Sequence, residues 1–251
     1  MLDILLLGCA GKMGSAVAQL AREEDARFCI RAGVDCRHDE YTGLFPVFSK
    51  IEEINIPVDV VVDFSVPEIL TDTIAWCSES GTPYVVGTTG ISSAQCKVLE
   101  SASRQIPIFQ SSNMSLGIYV LNELALYAQK LLGEEFDIEI IEKHHSRKVD
   151  APSGTALSIA RSLREADRAL FFTYGRNGKK PRAKDEIGIH AVRGGTIAGE
   201  HDLLFAGADE TLTLSHAATS RMVFARGALR AAEWLVRQPA GKYTMKDLIG
   251  A

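Results

Sequence analysis

His144, His145 and Lys148 fall within the stretch IEIIEKHHSRKVDAPSGTA, residues 138 to 156. Imidazoles with a reference pKa of about 6.5 beside an ammonium form a proton-donor set at neutral pH. The next residues have a different use. Asp150, Ala151 and Pro152 are turn chemistry, and a helix opening at about Ser153 carries Ala156, Ile159, Ala160 and Leu163 as an apolar stripe. Its first turn is Ser-Gly-Thr, which leaves the backbone N–H groups of Gly154 and Thr155 open to an anion that the helix dipole also favours. The dipole contributes only about 0.3 to 1 kcal/mol, too little to hold a dicarboxylate. Charge-assisted hydrogen bonds at roughly 1.5 to 3 kcal/mol each are needed, and Lys148 with the histidines supplies them. Singly, each of these residues reads as a solvated loop side chain. Clustered after a strand (Ile138 to Glu142) and before a helix, they point to a carboxylate-binding site.

The elements that must position this site begin at the amino terminus. MLDILLLGCAGKMG gives an apolar strand, Ile4 to Leu7, that runs into Gly8, Gly11 and Gly14 and then into a helix with Met13, Val17 and Leu20 on one side. Strand, glycine turn and helix start are the context of a dinucleotide fingerprint, although GxxGxxG is a looser spacing than GxGxxG. A second strand, Phe28 to Val34, ends in Asp35, where an acidic side chain takes ribose hydroxyls. Val58 to Asp63 is an apolar run of the kind buried on both faces of a parallel sheet. Helices are expected at 67–80 and 92–104, and strands at Tyr84 to Val86 and Ile106 to Phe109. Two of these strands deliver small polar turns, Gly87-Thr88-Thr89-Gly90 and Ser111-Ser112-Asn113-Met114. Ligands of open α/β sheets bind outside such strand ends.

Behind a helix at Leu116 to Leu132 and the central stretch, residues 167–186 hold six Lys and Arg residues with few apolar anchors and read as a mobile basic loop without a packed core. Three runs come next, Ile187 to Arg193, Thr196 to Phe205 and Glu210 to His216, separated by glycine-containing hairpin signals. A last helix spans about Arg221 to Arg237. The expected fold is α/β: a doubly wound, Rossmann-type nucleotide domain (1–115 and 219–251) with an inserted α+β domain (116–218) for substrate binding and oligomerisation. Connections near 115 and 219 make a hinge, with substrate expected between the lobes.

Composition narrows the partners. Hydrophobic residues make up 46% and charged residues 24%, an ordinary globular mixture, and the formal charge of -5 argues against a nucleic-acid binder, which needs a basic face. No run approaches the roughly 20 apolar residues of a membrane span, and no secretory pattern opens the chain. The five cysteines are odd in number, lack CxxC spacing and read as reduced, mostly packed thiols of a cytoplasmic protein.

The fingerprint, the GTTG turn, the SSNMS turn and the unbroken pattern E-x-H-H-x-x-K-x-D-A-P-S-G-T-A from Glu142 to Ala156 resemble the 4-hydroxy-tetrahydrodipicolinate reductases, also called the dihydrodipicolinate reductase family. RGGTIAGEH, residues 193 to 201, adds to the resemblance, which covers essentially the whole chain. It implies NAD(P)H-dependent reduction of a cyclic imine dicarboxylate, with loss of water, in lysine and diaminopimelate biosynthesis. It assigns the pyrophosphate to Gly8, Cys9, Ala10, Gly11, Lys12 and Met13, the adenosine ribose to Asp35, and the nicotinamide side to Gly87, Thr88, Thr89, Ser111, Ser112, Asn113 and Met114. His144 becomes the proton donor and acceptor and Lys148 the proton donor, while His145, Gly154 and Thr155 bind substrate carboxylates. No metal is implied, and a homotetramer built through the inserted domain's sheet is. The chain departs from the family where members that grip the 2′-phosphate of NADPH often carry arginine: Cys36 and Val66 stand there, with Arg37 one position on. Asp35 accepts a 2′-hydroxyl and repels a 2′-phosphate, so use of both NADH and NADPH with NADH preferred is expected.

Other chemistries fit less well. A semialdehyde-type dehydrogenase needs a cysteine nucleophile, and no cysteine follows Cys96. Ser153 lies in no G-x-S-x-G elbow. A metal site of His144, His145 and Asp150 is opposed by Lys148 between them and by adjacent strand residues pointing to opposite sides. A non-catalytic dinucleotide sensor has no use for His144 and Lys148. His190, His201 and His216, each single in a strand, read as structural or interface histidines.

Overall fold

The computed structural model describes residues 1–24 and 26–250. They divide into two compact units, Met1–Met114 with Arg221–Ala251, and Ser115–Ser220. In chain order the elements are β1 (Leu2–Leu7), α1 (Lys12–Glu23), β2 (Phe28–Val34), β3 (Val47–Phe48), β4 (Val60–Asp63), α2 (Leu70–Ser80), β5 (Tyr84–Val86), α3 (Ser93–Ala102) and β6 (Pro107–Gln110). Then come α4 (Leu116–Leu132), β7 (Asp137–His144), α5 (Gly154–Ala166), β8 (Phe171–Tyr174), β9 (Glu186–Arg193), β10 (Gly199–Ala206), β11 (Thr211–Ala218), α6 (Met222–Leu235), β12 (Gly241–Tyr243) and α7 (Met245–Ile249).

The first unit is the doubly wound sheet that its apolar runs predict, in the order β12-β6-β5-β4-β1-β2-β3 with every pair parallel. Ile4 to Leu7 and Val60 to Val62 are wholly buried, because helices cover both faces of such a sheet. The winding reverses between β1 and β4, so the carboxyl ends of β1, β2, β4, β5 and β6 share one edge around the switch point where ligands of such sheets bind. Two short strands carry too few residues to show a pattern, β3 and β12; β12 lies parallel to β6 and returns the end of the chain to this sheet.

Helix α6 presents Ala225, Ala228, Ala231 and Ala232 as a buried small-residue face. It also comes close to the backbone at Met114, where a Cβ on Gly227 would fall on the Met114 carbonyl.

The second unit is a mixed sheet in the order β11-β10-β7-β9-β8. Along β7 burial alternates, and Ile138, Ile140, Glu142 and His144 are the buried set, as a period of two requires. Ile138 and Ile140 join Ile118, Leu121, Ile159 and Leu163 of α4 and α5 in one apolar core. Two expectations fail in this unit. Gly194-Gly195 does not close a hairpin between β9 and β10, because β7 lies between them, parallel to β9 and antiparallel to β10. The loop passes the end of β7 instead, with Gly194 N–H donating to the His144 carbonyl (2.9 Å). A glycine pair signals a turn without saying which strand the chain returns to.

Residues 167–186 are likewise more than a loop. They contain β8, Leu170 and Phe172 pack on the core, and Arg176 and Arg182 reach back to Glu139 of β7 (2.6 and 3.1 Å). Ion pairs to acids far away in sequence supply the anchoring that apolar residues do not.

Gly227→Ala gains about 1 kcal/mol of helix propensity but forces a methyl into a backbone carbonyl, and overpacking costs about 1–3 kcal/mol or more. The melting temperature is expected to fall by several degrees; an unchanged or raised value contradicts this close approach.

Candidate active site

In the first unit the carboxyl edge of the sheet presents a backbone stripped of side chains. Gly8 follows β1 at φ +72, and a Cβ there would lie 2.6 Å from the Phe64 carbonyl oxygen. A Cβ on Gly14 would collide with the Gly8 carbonyl. Helix α1 opens at Gly11 with no side-chain cap, leaving its first N–H groups for an anion. Lys12 and Met13 begin that helix. Buried Asp35 braces the glycine turn: its Oδ2 accepts from Ala10 N–H (2.9 Å) and its Oδ1 from Arg37 N–H (2.9 Å), with Arg37 Nε at 3.5 Å. Cys9 is buried beneath, its thiol pushed up to about 11 by burial and by Asp35, so it packs and does not react.

Gly87, Thr88 and Thr89 follow β5. After β6, the Ser111 hydroxyl donates to the Asn113 carbonyl (2.7 Å), and Met114 is buried. This edge fits a dinucleotide. Glycines stand where a pyrophosphate needs bare backbone, and an acid stands at the end of β2 where ribose hydroxyls need an acceptor.

In the second unit the cluster is organised by a residue to which sequence reasoning gave no role. Glu142 is wholly buried on β7. Its Oε2 accepts from His144 Nδ1 (2.6 Å) and Arg193 Nη1 (2.7 Å), and its Oε1 from Arg193 Nη2 (2.7 Å) and Ser153 N–H (2.9 Å). Burial pushes this carboxyl up, but Arg193, His144 and the Ser153 N–H together outweigh it and hold the group below its ordinary value. An ionised carboxylate only accepts, so His144 Nδ1 carries the proton shared with it and Nε2 is the atom left for chemistry. Space beside Nε2 exists because position 199 is glycine; a Cβ there would come within 3.0 Å of it.

The remaining parts gather around this carboxylate. Arg193 also donates to the Asp150 carbonyl (2.6 Å), and Lys148 Nζ donates to Asp150 Oδ1 (2.8 Å). Burial opposes ionisation of Asp150, yet Lys148 holds it below the usual carboxylate range. Ser153 caps α5 through its Oγ, which accepts from Ala156 N–H (3.1 Å). Gly154 opens onto empty space where a Cβ would stand, and Thr155 follows in the same first turn. The structure thus brings His144, His145, Lys148, Gly154 and Thr155 onto one strand end, one loop and one helix start. Among the described residues no group of three or more His, Cys, Asp or Glu is placed to hold a metal ion.

His201 is more than the isolated strand histidine expected from its position. On β10 opposite Glu142, it is buried, edge-on to His144 with ring centroids 5.3 Å apart, and its Nε2 lies 3.0 Å from Ser153 Oγ. Burial first, and then the charge of His144, lower it to about 4, so it stays neutral while hydrogen-bonded to the Ser153 hydroxyl. The inward alternation of β7 was the available signal for Glu142. Arg193 and His201 had none, since strand order is not written in the sequence.

A histidine whose folded pKa lies below its unfolded one binds protons more readily when unfolded, so stability falls as pH drops from about 6.5 towards about 4. Between pH 7 and pH 5 the wild type should lose about 2 kcal/mol that His201→Gln does not lose. Urea midpoints at the two pH values check this, and parallel losses in both proteins contradict it.

The family model described as dihydrodipicolinate reductase, N-terminus, matches residues 2–114, and the model for the C-terminus of the same enzyme matches residues 117–249. The chain is 49% identical to the 4-hydroxy-tetrahydrodipicolinate reductase of Caldanaerobacter subterraneus subsp. tengcongensis, over 99% of this chain and 98% of that one. It is 45% identical to the reductase of the same name from Clostridium tetani, over 100% and 98%. A solved dihydrodipicolinate reductase from Paenisporosarcina, with dipicolinate bound, shares the fold at a TM-score of 0.81 and 24% identity, covering 99% of both chains. With a bare glycine turn at the switch point, a carboxylate-oriented histidine at the end of β7, and family models matching residues 2–114 and 117–249, the chain belongs to the dihydrodipicolinate reductase family.

Proposed function

We propose that the chain catalyses the NAD(P)H-dependent reduction of 4-hydroxy-tetrahydrodipicolinate to tetrahydrodipicolinate, with loss of water, in the diaminopimelate route to lysine. The observation that carries this reading is the oriented His144, its Nδ1 held by Glu142 at 2.6 Å, on the strand end that leads through the Lys148 loop into the start of α5.

When bound, a reduced nicotinamide supplies hydride to the substrate ring. The chain's own residues do the rest. Elimination of the hydroxyl as water places a proton on the leaving oxygen and removes one from the adjacent ring carbon, and that carbon takes a proton back after hydride arrives, so one proton is consumed overall; Lys148 Nζ is a donor, and His144 Nε2 is donor and acceptor. Glu142 holds the imidazole by its Nδ1–H and so keeps Nε2 directed at the reacting atoms. His145 and the N–H groups of Gly154 and Thr155 hold the substrate carboxylates, where the dipole of α5 adds its smaller share. Gly8 to Met13 receive the pyrophosphate, Asp35 the adenosine ribose, and Gly87 to Thr89 with Ser111 to Met114 the nicotinamide side.

NADH is the preferred cofactor in this reading, with NADPH also used. Asp35 is an acceptor suited to a 2′-hydroxyl, and Arg37, half-exposed and paired with it, is the cation that tolerates a 2′-phosphate. A homotetramer in the cytoplasm completes the proposal. The sheet face of the second unit that carries Val192 (45% exposed) and the Lys143, Glu200 and Asp202 ion pairs is the surface assigned to subunit contact. No helix of the described residues is long and apolar enough to cross a membrane.

The test is NADH and NADPH oxidation with the unstable imine generated in situ from pyruvate and aspartate semialdehyde by its synthase. Lys148→Ala and His144→Gln are expected to lower kcat by about 10²- to 10⁴-fold while NADH binding is retained. A wild type that binds NADH and oxidises none under any imine supply overturns the reading. A kcat/KM that favours NADPH by about tenfold, some 1.4 kcal/mol, overturns the cofactor preference alone.

A further inference from the structure

The first unit holds a second buried carboxylate to which the proposed reaction gives no part. Asp63 ends β4 and is wholly buried. Four uncharged donors satisfy it: Tyr84 OH at Oδ2 (2.5 Å), and at Oδ1 Ser65 N–H (2.7 Å), Ser65 Oγ (2.5 Å) and Thr88 Oγ1 (2.9 Å). These donors sit in the loop after β4, in β5 and in the turn after β5. One side chain therefore ties together two neighbouring loops on the edge where the dinucleotide is received.

Phe64 shows what those ties hold in place. Its N–H donates to the Leu7 carbonyl (3.1 Å), its own carbonyl lies 2.6 Å from where a Cβ on Gly8 would stand, and its ring lies 2.6 Å from where a Cβ on Gly87 would stand. Gly87 N–H in turn donates to the Asp63 carbonyl (2.8 Å). Residue 64 is thus a spacer between the two glycine turns, and the bonds of Asp63 fix the segment on both sides of it. Three donors converge on one oxygen. A charged oxygen carries that load, since charge-assisted bonds are roughly twice as strong as neutral ones, and an amide oxygen carries it poorly.

We propose that Asp63 is a positioning residue of the cofactor site: through Ser65 and Thr88 it sets the spacing between the turn at Gly8 and the turn at Gly87 to Thr89. This rests on the dinucleotide reading of that edge. Being wholly buried, Asp63 acts on the cofactor through those turns and not by touching it.

The experiment is steady-state kinetics on the full chain with NADH and imine varied separately, for Asp63→Asn, Thr88→Val, Thr88→Ser and the double variant Asp63→Asn/Thr88→Val. Loss of one bond to a charged group predicts about a tenfold rise in KM for NADH in Asp63→Asn and in Thr88→Val, with KM for the imine unchanged and kcat lowered less. Thr88→Ser, which keeps the hydroxyl that Asp63 accepts from, should raise KM for NADH less than Thr88→Val. The double variant should be no worse than the singles, because both remove the same bond. If Asp63→Asn does not fold, the single variant Tyr84→Phe, which loosens Asp63 at Oδ2, replaces it outside the cycle, and a folded Tyr84→Phe with an unchanged KM for NADH contradicts the proposal.

Additive effects, or variants that lose thermal stability and active fraction while KM for NADH stays at the wild-type value, overturn the proposal and leave the cofactor reading standing. A wild type that binds no NADH overturns both.

Discussion

A carboxylate taken out of water is costly by several kcal/mol unless its lone pairs are filled, and the ion pair that fills them is strongly destabilising to break. Glu142 meets that demand with a bidentate guanidinium, an imidazole N–H and a backbone N–H. Each partner belongs to a different piece of the site: Arg193 to the end of β9, His144 to the end of β7, Ser153 to the start of α5. Satisfying one buried charge therefore fixes three strand and helix ends relative to one another. The neutral His201 finishes the arrangement by holding the Ser153 hydroxyl, which in turn caps α5.

The same device occurs in the first unit, where Asp63 closes a parallel strand and gathers hydroxyl and N–H donors from adjacent loops. Loops at strand ends have few apolar contacts to hold them. A buried acid at the strand terminus supplies directional bonds where packing cannot. The consequence is strict demand on residue type, since neither an amide nor an apolar side chain fills the same set of donors. Asp35 is a milder case, at the end of β2, where it braces the glycine turn through Ala10 N–H.

How much of this was legible in the sequence depended on whether the signal was local. The parallel sheet was, because strands buried on both faces read as unbroken apolar runs and their glycine turns follow directly. The cluster of His144, His145 and Lys148 before a helix start was legible for the same reason. Glu142 was visible as a charged residue at an inward position of β7, yet its meaning depended on Arg193, which lies 51 residues on and arrives only because β9 pairs parallel to β7. Residues 167–186 were misread because Arg176 and Arg182 anchor through acids on β7, a form of packing that hydrophobic pattern does not report. β12, three residues long, had no period to read.

The most direct test of the role given to Glu142 is the ring ¹⁵N spectrum of His144, assigned by its absence from His144→Gln and recorded at a pH where the ring is neutral. Orientation by an ionised Glu142 predicts a single tautomer with the proton on Nδ1 and a bare Nε2, and a mixture of tautomers in Glu142→Gln. A proton on Nε2 in the wild type, or equal populations of the two tautomers, would mean that Glu142 does not set the proton inventory of the site.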